Sequence, residues 1–353
     1  MTISVSKNQQ LPGNIVAPEF GEVNVRNTGA ALEVNFTILM EPQGEAAEGW
    51  TTGVAIDASA SMKSAYGRKL EGKVPANIMA QYQKKGWIES RLEDGNPVTS
   101  FQKQAYQDAI NKGYFRPSPN VIQPLAREFT AYLASHLDAK GGTSLIYWAC
   151  DRGSELEVIG DFTEAECLLL KINGPSHTTL GEGTKITPAV KYFVDRFVQA
   201  KRGMYIFITD GRIDDMEEIR QYTLQLTEEI AIGKRNSIKC VLIGVGDQIE
   251  VSQLAELDDL ETGNGIDIWD HKIAEEMQGL IEIFAEVVNE NQIVAPTGAI
   301  YDDRGNLVKK YTDGLPAKLS LSLPPNCQWF ELEAYGNRIR QTLVIPQKPG
   351  TSP

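Results

Sequence analysis

Val54-Ala55-Ile56-Asp57-Ala58-Ser59-Ala60-Ser61-Met62 joins a short apolar run to an acid and two hydroxyls spaced two residues apart. Continuous apolarity of the kind seen in residues 52–57 suits a strand buried on both faces. The strand therefore delivers three oxygen-bearing side chains into the loop at its carboxyl end, where open α/β sheets bind ligands. Oxygen donors in that pattern suit a hard cation such as Mg2+. Two later stretches can complete the set. Gly181-Glu182-Gly183-Thr184-Lys185-Ile186-Thr187-Pro188 places a hydroxyl in a glycine-containing loop before a helix, and Ile206-Phe207-Ile208-Thr209-Asp210-Gly211 ends a second buried strand in an acid.

Around these stretches, short apolar runs alternate with segments of helical period, the pattern of a parallel sheet covered by helices. Strands are expected over 52–57, 144–150, 156–160, 204–210, 238–246 and 266–269. Ile122, Leu125, Phe129, Leu133 and Leu137 make one helix face, as do Val190, Phe193, Val194 and Phe197. Thr187 before Pro188 reads as a capping hydroxyl, Asp214-Asp215 as the acidic start of a helix over 216–229, and 272–290 as a long last helix. The ends differ in style. Leu32, Val34, Phe36, Ile38 and Met40 alternate with polar residues, as do Leu319, Leu321 and Leu323. Ile300-Tyr301 and Leu307-Val308 flank a hairpin turn at 302–306, and two more strands are expected over 328–334 and 338–345. Neither end has strands enough to stand alone. The expected fold is thus α/β, a doubly wound mostly parallel sheet over 50–291, inserted into a small antiparallel β-sandwich made from 19–48 and 293–346. Residues 1–18 and 347–353 read as tails.

Asp-x-Ser-x-Ser, then a loop Thr, then a strand-terminal Thr-Asp-Gly, resembles the metal-ion-dependent adhesion site of the von Willebrand factor A family, which includes the integrin I domains. The resemblance continues through Val241-Leu242-Ile243-Gly244-Val245-Gly246-Asp247, a helix at Leu254-Ala255 and the last helix, covering about 52–290. It implies that Ser59, Ser61 and Thr184 give hydroxyl ligands to Mg2+ or Mn2+, with Asp57 and Asp210 coordinating directly or through water. Neutral hydroxyls leave much of a cation's charge uncompensated, so an open position attracts an outside carboxylate. The implied role is a protein–protein interaction module or adaptor, not an enzyme, that captures an Asp or Glu of a partner. Bacterial cytoplasmic members of the family suggest adaptor roles beside AAA+ ATPases. Lys63, Glu182, Lys185, Gly211 and Arg212, adjacent to the motifs, are candidate partner contacts. Integrin-type relatives shift the last helix on ligand binding, which would couple 272–290 to the β-domain.

Residues 63–120 depart from compact members of the family, because they stand between the Asp-x-Ser-x-Ser loop and the first helix. They carry ten basic and five acidic residues, a net +5, which leaves −18 for the rest of a chain whose formal charge is −13. Seven aromatics fall there as well: Tyr66, Tyr82, Trp87, Phe101, Tyr106, Tyr114 and Phe115. Such a composition makes a small core under solvated charge, a surface for an acidic protein, or one for single-stranded nucleic acid. The overall acidity argues against nucleic acid as the partner. No run is apolar enough for a membrane span, and residues 1–10 lack the pattern of a secretory signal, so a cytoplasmic location is expected.

Four cysteines without CxxC spacing offer neither a zinc knuckle nor a redox motif. His136, His177 and His271 read as isolated, with His177 the nearest in sequence to Thr184. Two other functions stay open. A Mg2+-dependent phosphohydrolase of haloacid dehalogenase type also uses a strand-end Asp, but its acid/base Asp two residues later is Ser59 here, a poor general acid. A structural subunit of an assembly, self-association included, would need no metal.

Overall fold

The computed structural model of the chain describes residues 9–39, 49–93, 96–246, 249–277, 280 and 293–343. Its largest sheet has six strands, β1 (Trp50–Asp57), β2 (Asp138–Cys150), β3 (Glu155–Thr163), β4 (Arg202–Thr209), β5 (Ser237–Gly244) and β6 (Trp269–Ile273), in the order β3-β2-β1-β4-β5-β6. β3 runs antiparallel to β2, and all other neighbours are parallel. The chain is therefore mixed α/β, with a mostly parallel sheet beside several antiparallel ones.

Alternation of side chains along each strand loads both faces. Val54, Ile56, Leu145, Tyr147, Ile206 and Ile208 point to one core. α1 (Ile122–His136) covers it with Ile122, Ala126, Phe129 and Leu133, one stripe of the helix. Ala55, Ile146, Trp148, Tyr205 and Phe207 point the other way. There α2 (Thr187–Arg196), α3 (Met216–Ala231) and α4 (Val251–Asp258) supply Val190 and Phe193, Ile219 and Leu226, and Leu254 and Leu257. Gly53 on β1 is glycine because Phe193 lies flat against it, with ring carbons 2.4 Å from where a Cβ would stand.

One expected element is corrected. Lys272 and Ile273, read as the start of the last helix, belong to β6, and Ala274–Glu276 is a single 3-10 turn. Pairing with β5 runs from Cys240↔Trp269 to Gly244↔Ile273, so the backbone through Ile273 finds its hydrogen bonds in the sheet. Of the rest of that predicted helix, residues 278–279 and 281–290 lie outside the described residues.

Strands from both ends of the chain pair with each other. Gln9–Gln10, Phe20–Asn27, Leu32–Ile38 and Lys318–Leu323 form one antiparallel sheet in that order. Leu307–Tyr311, Gly298–Asp302, Trp329–Ala334 and Asn337–Thr342 form another. A common core joins them, centred on Phe20, Phe36 and Phe330 with ring centroids 4.8 to 5.9 Å apart. Residues 9–16, expected as part of a tail, are corrected, because Leu11 and Val16 are buried in this core. The turn at Asp302 is held by its carboxylate, which accepts from the backbone of Arg304 and Asn306. Tyr335 and Gly336 take positive φ in a two-residue hairpin loop, the twist such turns require.

Residues 63–120 fold over a small core of Val74, Tyr82, Ile88, Ala105 and Ala109. Trp87, Phe101, Tyr114 and Phe115 pack on it, so most of the aromatics fill this core and Tyr106 stays exposed. The segment leaves and rejoins the main body at one place, where Ser118 Oγ donates to Ser64 O at 2.7 Å and Asn120 Nδ2 to Ile172 O at 2.7 Å.

Candidate functional site

β1 sits between β2 and β4, so the sheet's strand order reverses beside it, and the carboxyl ends of β1 and β4 are where open sheets bind ligands. Asp57 ends β1, and Asp210 follows β4 by one residue. Asp57 is fully buried. Its Oδ1 accepts from Ser59 N at 2.6 Å and its Oδ2 from Thr209 Oγ1 at 2.6 Å. Burial pushes its carboxyl up to about 7, against the lowering effect of the Thr209 and Ser59 hydrogen bonds and with a further push from Asp210. Burial also raises the Asp210 carboxyl, against the hydrogen bond from Ser61. A cation beside the two acids would act in the opposite sense. From below, Tyr66 Oη donates to Asp57 O at 2.5 Å and fixes the end of the strand.

The hydroxyls form a chain above these acids. Ser59 Oγ lies 2.9 Å from Ser61 Oγ, and Ser61 Oγ donates to Asp210 Oδ1 at 2.8 Å. Neighbouring oxygens of an octahedral Mg2+ shell, with bonds of about 2.1 Å, stand about 3 Å apart. The two hydrogen-bonded contacts are close to that spacing, and the donor set of two hydroxyls and an acid fits a hard cation.

Thr184 belongs to the loop opposite. Gly181 tethers that loop to the serines: its N donates to Ala58 O and its O accepts from Ala60 N, both at 2.8 Å. Beyond it, Thr184 N donates to Asp214 Oδ2 at 2.9 Å, while Ile186 N and Thr187 N donate to the two oxygens of Asp215 at 2.9 Å. Asp214 and Asp215 stand at the start of α3 as expected, with Asp215 its N-cap residue, while their carboxylates also clamp the loop and cap α2. The capping role expected of Thr187 is corrected accordingly. Thr187 is the first residue of α2, and its Oγ1 is buried without a hydrogen bond. Among the described residues, no hydrogen bond joins the Thr184 hydroxyl to the Asp57–Ser59–Ser61–Asp210 chain. The structure thus gathers four of the five expected ligands and sets the fifth, buried, in a loop bonded to them.

The candidate partner contacts lie next to these motifs in the chain. Lys63, Glu182, Lys185 and Arg212 are exposed, and a Cβ on Gly211 would stand 3.6 Å from Ser61 Oγ. At the end of β2, Ala149 and Asp151 take φ of 58° and 49°, a conformation that costs on the order of 1 kcal/mol or more for a residue other than glycine. Asp151 O and Gly153 O accept from Glu182 N and Lys185 N, so this strained turn is part of what holds the Thr184 loop. His177 is exposed, and its backbone N–H donates to Glu157.

Sequence reading missed two groups. Glu157, which alternation along β3 would not single out, is buried under the 176–178 loop. It accepts from the backbone of Ser176, His177 and Thr178 and from the Ser176 and Thr178 hydroxyls, at 2.8 to 3.1 Å. Burial opposes its ionisation, but these donors win and hold its carboxyl down at about 2. Because the folded value is the depressed one, its contribution is fully present above the ordinary value of 4.5 and is lost as pH falls toward 2. Glu157→Gln turns an amide N–H toward donors, and it is expected to cost about 2–3 kcal/mol at neutral pH. Urea unfolding should then show a smaller loss of stability between pH 4.5 and 2 in the variant than in the native chain.

The second missed group is Asp258, Asp270 and His271, whose ligand atoms all lie within 4.8 Å of one another. His271 read as isolated because its partner, Asp258, comes from α4, whereas His271 itself is placed by the pairing of β6 with β5. Among the described residues, no helix is long and apolar enough to cross a membrane. Comparison with known proteins found no matching family model and no matching curated protein.

Proposed function

We propose that residues 50–291 form a von Willebrand factor A-type unit, doubly wound, that holds Mg2+ or Mn2+ at Asp57, Ser59, Ser61, Thr184 and Asp210 and binds a protein partner through one of its Asp or Glu side chains. One observation carries this reading. The hydrogen-bonded chain Ser59–Ser61–Asp210, with oxygens 2.9 and 2.8 Å apart, puts two hydroxyls and an acid at the strand-order reversal of a mostly parallel sheet, a donor set that suits a hard cation.

Bound there, the cation would supply a Lewis-acidic position for an incoming carboxylate. The chain's own residues do the rest. Asp57 stays buried and orients Ser59 through its backbone N–H. Ser61 and Asp210 stand at the open side, and Lys63, Lys185 and Arg212 give the rim a positive field. That field would steer an acidic partner surface inward, and the basic residues of 63–120 would extend it. A metal-dependent adaptor, cytoplasmic and working beside an AAA+ ATPase, is the biological setting we infer.

Affinity capture with the immobilised chain in 5-fold excess Mg2+ should retain a partner that EDTA releases, a step that varies only the metal. Retention that persists undiminished through EDTA would overturn the metal bridge and favour a structural subunit.

A further inference from the structure

We propose that Asp258, Asp270 and His271 hold a second divalent cation, of the zinc type, at the wall between α4, β6 and the N-terminal segment. His271 Nδ1 and Asp258 Oδ2 are 2.6 Å apart, and both side chains are mostly buried. Asp270 is buried completely beside them and pairs with Lys272 Nζ at 2.8 to 2.9 Å. That ion pair leaves Asp270 able to ligate, because a carboxylate has about four lone-pair directions and the ammonium takes only part of them. The three donors come from two elements and converge within 4.8 Å.

The surroundings of the cluster add a second observation. Asp258 and His271 line a cavity of about 510 Å3 together with Gln9, Leu11 and Val16. Glu22, Asp259 and Glu276 line it as well. Lys272 offsets Asp270, so the remaining charge around the opening is negative, with His271 the other basic group there. A cavity lined by apolar and acidic residues attracts a cation and gives room for the waters that complete its shell. The donor set selects which cation. Imidazole nitrogen with carboxylate oxygens suits Zn2+ or Co2+, whereas the all-oxygen serine site suits Mg2+. Binding would open the 2.6 Å contact between His271 Nδ1 and Asp258 Oδ2, so that each atom turns a lone pair to the metal, and the proton they share leaves to solvent.

The site would pin α4 to β6, the edge strand of the parallel sheet. It is separate from the serine site and stands or falls without it.

The test uses the full chain, stripped with chelator and titrated with Co2+. A visible d–d band should grow to one equivalent, persist in Ser59→Ala, vanish in His271→Gln and Asp258→Asn, and be quenched by Zn2+. X-ray absorption at the cobalt edge of the unaltered chain should show one imidazole in the shell, a readout that needs no variant to fold. Absence of the band, a band that survives both variants, or an all-oxygen shell would each overturn the proposal.

Discussion

Alanine at Ser59 is expected to lower Mn2+ affinity by more than about 100-fold, since even outer partners of a metal site are worth 10–100-fold and Ser59 would be a direct ligand. Electron paramagnetic resonance of Mn2+ reads this without knowledge of the partner. Stability should fall by about 1–2 kcal/mol at most, because Ser59 N still donates to Asp57 Oδ1 and Ser61 keeps its bond to Asp210. That combination, lost affinity with a near-native unfolding midpoint, separates a ligand from a structural serine. Asp210→Asn should behave alike. Equal Mn2+ affinity in the native chain and Ser59→Ala would sink the metal-site reading.

Gly181→Ala should have the largest effect on the fold around the site. A Cβ at Gly181 would stand 1.9 Å from Ala149 O and 2.9 Å from its carbon. Those are backbone atoms of β2, which cannot rotate aside as a side chain does. Relief requires moving the loop and breaking the pair of 2.8 Å hydrogen bonds that join Gly181 to Ala58 and Ala60. A loss of about 2–4 kcal/mol is expected, the range for overpacking together with broken buried hydrogen bonds. Urea unfolding should show it, and the amide of Ala60 should lose its protection from hydrogen exchange. A shift within about 0.5 kcal/mol would mean that the loop is not held through Gly181.

The inner strands β1, β4 and β5 are legible because they carry apolar runs, and Asp57 and Asp210 stand out as acids at the ends of such runs, whereas the polar edge strand β6 lies at 269–273 and not at 266–269. Ser59 and Ser61 followed from their spacing. What the sequence hid are roles set by residues far apart along the chain. Asp215 caps α2 across 28 and 29 positions, Glu157 receives a loop 19 to 21 positions away, and Asp258 meets His271 only once β6 has paired with β5. Each is a polar group satisfied by backbone or by an imidazole from another element, and hydropathy patterns carry no record of such partners. The start of the expected last helix failed for a related reason. Ile273 and Met277 have helical spacing, but the open edge of β5 gives residues 269–273 a ladder to join, and tertiary pairing overrides local period.

The pairing of Leu32–Ile38 with Lys318–Leu323 also has a consequence for how the chain comes into being. The ribosome must make about 280 further residues between the two strands, roughly 15–55 seconds at typical elongation rates. Throughout that interval the early strand has an open edge and an uncovered apolar face of Val34 and Phe36, while the parallel sheet can already close. The order of synthesis therefore makes the end-to-end core the last to form, and its N-terminal half the part of the nascent chain most in need of a holding chaperone.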